Sequence, residues 1–153
     1  KKLQQKIRKS GYKIELKDAE MTTAEEQFME QVMKVMGNHV EDISFSVIQF
    51  AQALHLSRPT FNRRLKAMTG QTALGFMRDY RIKRAAQLLA QSDLSVKEVF
   101  FQSGIANMKS FRTYFKQAYG LNPKEYQVSI RNNTNEWPDR TNDAPPRKAP
   151  NLS

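Results

Sequence analysis

The stretch LSRPTFNRRLKAMTG, residues 56–70, decides the fold of this chain. Ser57 suits a helix N-cap, and the proline two residues later suits a first helical turn. At 100° per residue, Phe61, Leu65 and Met68 share one helical face. The opposite side carries Pro59, Asn62, Arg63 and Lys66. The stretch therefore predicts a helix with one buried face and one basic, hydrogen-bonding face.

The same pattern returns about fifty residues later in the chain. SVIQFAQALHLSRPTFNRRLKAMTG (46–70) and SVKEVFFQSGIANMKSFRTYFKQAYG (95–120) share a Ser-Val opening and a closing glycine, at an offset of 49 that becomes 50 after the turn. Each copy pairs a short apolar-faced helix with a second helix, which is typical of a helix-turn-helix unit. On a helical wheel of 100° per residue, the second helix of the second copy places Phe111, Phe115 and Ala118 on its buried face. It turns outward Lys109, Arg112, Thr113 and Lys116.

A long helix is expected between the two copies. Residues 72–91 have apolar side chains at helical spacing and no proline, so they predict one linker helix. Twenty residues span roughly 30 Å, a length comparable with the roughly 34 Å between successive major-groove faces of B-DNA. Before the copies, a capping box at Thr23 and Glu26 predicts a first helix that ends near Gly37.

These segments predict an all-α fold of two helix-turn-helix subdomains within residues 23–128. Residues 1–22 are expected to be an N-terminal linker. Residues 129–153 are rich in Asn and Pro and have almost no apolar side chains, so we expect a disordered C-terminal tail.

The charge of the chain indicates a polyanionic partner. The formal net charge is +10, and residues 57–84 carry eight Lys/Arg against the single Asp79. Such a balance favours nucleic acid or an acidic membrane surface. With no cysteine, the chain has no disulfide and suits a reducing cytoplasm. No apolar run approaches the roughly 18–20 residues of a spanning helix, so a cytoplasmic protein without membrane contact is expected.

No residue pattern indicates catalysis, a metal or a cofactor. His39 and His55 have no ligand spacing to each other or to carboxylates. The chain has neither a Gly-rich phosphate loop nor a Ser–His pattern. An enzyme is therefore not expected.

Together these features resemble the DNA-binding domain of the AraC family of bacterial transcription regulators. The resemblance covers about residues 25–128 and rests on the two repeats, the phrase FMRDYRIKRAAQLL and the closing FRTYFKQAYGLNPKEY. It implies two helix-turn-helix units in successive major grooves of double-stranded DNA, with RNA polymerase as a further partner. KKLQQKIRK resembles the last helix of a receiver domain and a linker, which implies an upstream receiver or sensor domain in the same parent chain.

The resemblance also implies the residues that contact DNA. Carried over by position, base reading falls to Pro59, Asn62, Arg63, Met108, Lys109, Arg112 and Thr113. Lys66 and Lys116, toward the ends of their helices, are expected to contact the phosphate backbone. The N-terminal ends add Arg58, Thr60 and Asn107, because free N–H groups and the helix dipole suit a phosphate.

Some alternatives and departures stay open at this stage. Arg58 and Arg64 lie beside the buried face, where covering the core edge is as good an interpretation as DNA contact. A basic helical module that binds RNA, anionic lipid or a protein partner is the alternative function. The chain departs from the usual family residues at Ala73 (proline), His55 (turn glycine) and Phe100 (alanine).

Overall fold

The computed structural model describes residues 22–136 of the 153-residue chain. Within this range the regular secondary structure is helical, without a strand, which confirms the all-α prediction. The helices are α1 Thr23–Asn38, α2 Val47–Ala53, α3 Arg58–Thr69, α4 Ala73–Gln91, α5 Val96–Phe101, α6 Met108–Tyr119 and α7 Pro123–Glu136. The expected N-terminal linker, up to residue 21, and the expected tail from residue 137 onward lie outside the described residues.

A capping box starts α1, as the sequence predicts, but it lies one residue earlier than expected. Thr22 Oγ1 accepts from the Glu25 N–H at 3.1 Å, and the Glu25 carboxylate accepts from the Thr22 N–H at 2.9 Å. The prediction of Thr23 and Glu26 was wrong because two Thr-x-x-Glu matches overlap. The Glu26 N–H donates to the Thr22 carbonyl at 2.9 Å, so the first helical turn already contains Thr23.

The chain divides into two compact units, and the division falls within α4, between Tyr80 and Arg81. The first unit packs its helices around a cluster of aromatic rings. The ring centroid of Phe50 lies 4.7 Å from that of Phe61 and 6.4 Å from that of Phe76. All three side chains are fully buried. Because each buried Phe contributes about 1.5–3 kcal/mol, these rings fix α2, α3 and the start of α4 against each other.

The second unit repeats this arrangement around Phe111 and Phe115. The Phe115 ring lies edge-on to Tyr126 of α7 at 5.3 Å, and Phe111 lies edge-on to Phe100 at 5.6 Å. Phe100 is only half-buried, so its ring covers the edge of the core. The large ring at this position therefore has an aromatic partner.

The last helix continues beyond the boundary that the sequence pattern predicts. α7 runs to Glu136, so the expected end of the domain at residue 128 falls inside it. Tyr126 and Gln127 are buried, and Ile130, one turn after Tyr126, packs against the second core. The Gln127 Nε2 donates to the Leu94 carbonyl at 2.9 Å. Packing on one face keeps this polar segment helical where its composition alone predicts disorder.

Candidate nucleic-acid interface

The turn between α2 and α3 sets the start of the first candidate helix. His55 adopts a left-handed backbone conformation with φ 61, and the Leu56 N–H donates to the Ala51 carbonyl at 2.9 Å. Gly104 holds the equivalent place in the second unit, with φ 80. His55 thus reproduces the backbone of a turn glycine, at a steric cost of roughly 1–2 kcal/mol.

The first turn of α3 is capped as the sequence predicts. Ser57 Oγ accepts from the Thr60 N–H at 3.2 Å and donates to Thr60 Oγ1 at 2.9 Å. Pro59 lies in this turn, where the missing N–H has no intrahelical partner to lose. The Thr60 hydroxyl oxygen is therefore already engaged within the protein.

One face of α3 is buried and the other is exposed and basic. Phe61 and Leu65 are fully buried, and half-buried Met68 packs against the same core. The exposed side chains of the predicted set are Arg58, Pro59, Arg63 and Lys66. No carboxylate residue occurs in α3, so this face has a single sign of charge.

Two polar side chains of α3 turn toward the protein instead of toward solvent. Asn62, which the wheel assigns to the outer face, is half-buried, and its Oδ1 accepts from the Ala73 N–H at 2.7 Å. The guanidinium carbon of Arg64 lies 4.0 Å from the centroid of the Phe28 ring. For Arg64 the structure favours the interpretation that it covers the edge of the core.

The second candidate helix, α6, presents a more continuous stripe. Asn107 caps it through Oδ1, which accepts from the Ser110 N–H at 2.8 Å, and Met108 is half-buried against the core. Successive turns of the same face expose Lys109, Arg112, Thr113 and Lys116. These positions follow i, i+3, i+4 and i+7, so they form one row along the helix.

The wheel for α6 was wrong at Ala118, which is exposed. The adjacent Tyr119 occupies the core position that was expected for Ala118. The centroid of its ring lies 5.0 Å from that of Phe115 and 5.2 Å from that of Tyr126. Because Tyr126 of α7 packs on that side, the buried face at the end of α6 is shifted by one residue from the ideal wheel.

Potential metal ligands within residues 22–136 do not form a cluster. No group of three or more His, Asp or Glu side chains in that range could hold a metal ion. His39 donates from Nδ1 to the Val35 carbonyl at 2.9 Å and stacks on Phe45 at 4.1 Å, so its ring is used in packing. None of the helices described is both long and apolar enough to span a bilayer.

Known proteins match this chain over its helix-turn-helix sequences. A family model described as a helix-turn-helix domain matches residues 50–129. The xylose operon regulatory protein of Escherichia coli K12 is 30% identical over 97 residues, which are 63% of this chain and 24% of that protein. Histidine kinase P4 of Formosa agariphila is 30% identical over 107 residues, 70% of this chain and 8% of that protein. The chain therefore spans less than a quarter of either relative.

Solved structures of other proteins share the fold. The DNA-binding domain of AdpA, a global transcriptional factor, in complex with a target DNA, has a TM-score of 0.64 and 28% identity. The match covers 73% of this chain and 96% of that one. The C-terminal domain of the two-component response regulator yesN from Fusobacterium nucleatum has a TM-score of 0.61 and 24% identity, covering 66% and 98%. At that identity the second likeness concerns the fold alone.

Proposed function

Because the chain belongs to the AraC-type helix-turn-helix family, we propose that it is the sequence-specific DNA-binding part of a longer bacterial transcription regulator. Its two recognition helices, α3 and α6, enter successive major grooves of double-stranded DNA. The observation that carries this proposal is the exposed basic face on the second helix of each repeated unit, opposite a buried face that includes Phe61 in one unit and Phe111 in the other.

The exposed side chains suit both kinds of contact that a DNA reader makes. Arg63 and Arg112 have the planar fork that grips guanine O6 and N7 with two hydrogen bonds. Lys66 and Lys116 lie in the last turns of α3 and α6, where an ammonium group suits a phosphate. We assign base reading to the arginines and backbone contact to the lysines, and we place Lys109 and Thr113 beside Arg112 on the reading face.

The helix starts contribute differently in the proposed interface. Asn107 and Thr60 use a side-chain oxygen within the protein, so we assign them to the shaping of the helix ends, where unpaired N–H groups meet phosphate. Arg58 is exposed at the first position of α3 and is the cation that we place on that phosphate. Pro59 and Met108 supply apolar contact to base edges, such as a thymine methyl group.

Relatives support an output role in signalling. AdpA, whose domain was solved on DNA, is a transcription factor, and another relative is a histidine kinase. We propose that this domain receives its signal from a receiver or sensor domain in the same parent chain and acts in the cytoplasm by placing that chain near RNA polymerase. Binding, and not catalysis, is the role of this part.

Selection of bound sequences from a random duplex library tests the proposal. A recovered consensus with two conserved blocks is expected, and the purified consensus duplex should bind at least a hundredfold more tightly than random duplex. Competition with RNA of the same length and with anionic vesicles covers the alternative, a basic module for other polyanions. No consensus, or equal competition by RNA or vesicles, would overturn the proposal.

A further inference from the structure

The start of α4 is held by a side chain from the preceding helix. Asn62 in α3 accepts from the Ala73 N–H at 2.7 Å, across eleven positions of the chain. Ala73 is fully buried and is the first residue of α4, so its N–H has no partner within the helix. An N–H donor at this distance requires that the oxygen of the carboxamide, and not its NH2 group, faces Ala73.

The second unit has the same connection without this hydrogen bond. At an offset of fifty residues, Arg112 stands where α3 has Asn62, and Pro123 stands where α4 has Ala73. Pro123 is the first residue of α7 and has no N–H to be satisfied. The two units therefore differ at both positions. In the first unit Asn62 accepts from the Ala73 N–H, and in the second unit exposed Arg112 occurs together with Pro123, which has no N–H.

The remaining contacts at the two helix starts are alike. Thr72 Oγ1 accepts from the Gly75 N–H at 3.1 Å, and Asn122 Oδ1 accepts from the Glu125 N–H at 2.8 Å. Both helices therefore have a side-chain N-cap. The Asn62 hydrogen bond additionally satisfies the buried N–H of Ala73.

This contact competes with base reading by Asn62. An Asn pairs with adenine when its oxygen accepts from N6 while its NH2 donates to N7. Here the oxygen is engaged and the side chain is half-buried. Rotation toward a base would leave the Ala73 N–H buried without a partner, which is costly.

We infer that Asn62 is a positioning residue that latches α3 to the start of α4 and thereby orients Arg63, and that it does not read bases. Its counterpart Arg112 occurs with Pro123, which has no N–H that needs an acceptor, and Arg112 reads DNA. The latch itself is independent of DNA; the statements about reading rest on the proposed function.

Thermal melts without DNA test the latch. Asn62→Ala should lower the Tm by about 4–8 °C, because a buried N–H loses its acceptor. In the Ala73→Pro background, where that N–H is absent, the same substitution should change the Tm by less than about 1 °C. An equal loss in both backgrounds would overturn the latch.

Asn62→Asp provides a second measurement that holds even if Ala73→Pro does not fold. The carboxylate keeps an acceptor oxygen but has no NH2 donor, and its charge suits a helix N-terminus. We expect its Tm to be within about 2 °C of the wild-type value. If Asn62→Asp destabilises as much as Asn62→Ala, the proposed hydrogen bond does not hold the unit.

DNA titrations separate positioning from reading, with the ratio of affinities for the selected duplex and random duplex as the readout. Asn62→Ala should lower this ratio a few-fold, and Asn62→Asp should restore it, although its negative charge weakens both affinities. A reader of adenine would lose about tenfold in the ratio with either variant. If Asn62→Ala lowers only the Tm and leaves the ratio unchanged, the latch does not orient Arg63.

Arg112→Ala is the matched control at the equivalent position. It should leave the Tm unchanged and lower the affinity ratio about tenfold. A fall in Tm with an unchanged ratio would overturn the assigned difference between the two units. If no duplex is preferred by the wild-type chain, the proposed function fails, while the melting results on Asn62 and Ala73 still decide the latch.

Discussion

Arg64 lies over the ring of Phe28, with its guanidinium carbon 4.0 Å from the ring centroid, while the adjacent Arg63 is exposed. Arg64 thus packs on α1, and Arg63, the residue before it, is exposed to solvent. A cation over an aromatic face contributes about 0.5–1 kcal/mol when exposed and about 2 kcal/mol when desolvated. Two neighbouring residues of the same type therefore have separable roles in stability and recognition.

The pair Arg63→Ala and Arg64→Ala tests this separation. Arg63→Ala should cost about 1–3 kcal/mol at the selected duplex, relax the preference at one base pair and leave the Tm unchanged. Arg64→Ala should instead lower the free energy of unfolding by about 1 kcal/mol, with little change in base preference. Duplex titrations and thermal melts measure both effects. Equal loss of affinity for selected and random DNA would show that Arg63 is not a base reader.

Removal of Lys66 or Lys116 should weaken binding to all duplexes alike. Each contact between an ammonium group and a phosphate releases counterions, so its loss should reduce the slope of log K against log salt by about 1. Lys34, exposed on α1, is the control, and Lys34→Ala should leave the slope unchanged. An unaltered slope in Lys66→Ala would argue against phosphate contact there.

His55→Gly should stabilise the first unit. The residue has φ 61, which costs a non-glycine side chain roughly 1–2 kcal/mol, while glycine loses about 0.5–1 kcal/mol more through chain entropy. The net gain should therefore be on the order of 0.5–1 kcal/mol, measured by urea unfolding at neutral pH. His55→Ala removes the imidazole but keeps the strain, so it should show no gain. Stabilisation by alanine as well would assign the effect to the ring.

Truncated chains should show that the folded domain ends with α7. A chain that ends at residue 136 should keep the Tm of the full chain, because residues 137–153 are poor in apolar side chains. A chain that ends at residue 128 loses half-buried Ile130 and should melt several degrees lower. Ile130→Ala in the longer chain is the control and should account for most of that loss. Equal melting of both truncations would move the boundary back to residue 128.

The spacing of the two DNA subsites should be fixed. α4 is unbroken from Ala73 to Gln91 between the two helix-turn-helix sequences, so we expect subsites about 10 bp apart on one face of the duplex. Insertion of 5 bp should reduce specific affinity to that of one unit, and insertion of 10 bp should not restore it. Gel-shift titrations on the three duplexes measure this. Equal affinity for all three would mean that a single unit reads the site.

The sequence by itself determined the first six helices, the repeat and the two basic faces, but not the extent of α7 to Glu136. Ser57 as a cap, Phe61 and Phe111 as buried rings, and Lys66 and Lys116 as exposed cations all follow from spacing along one helix. Such features are local, because a 3.6-residue period and a side-chain cap involve residues within a few positions of each other. This is why most of the candidate interface could be predicted before the fold was known.

Only the tertiary structure decided which polar side chains at the edge of those faces have protein partners. Asn62 bonds Ala73 across the turn, Arg64 packs on Phe28 of α1, and Tyr119 replaces Ala118 against α7. A helical wheel gives the direction of a side chain but not the position of the neighbouring helix that it meets. Those positions result from the packing of whole helices, so the difference between a latch and a base reader at Asn62 could not be read from its spacing alone.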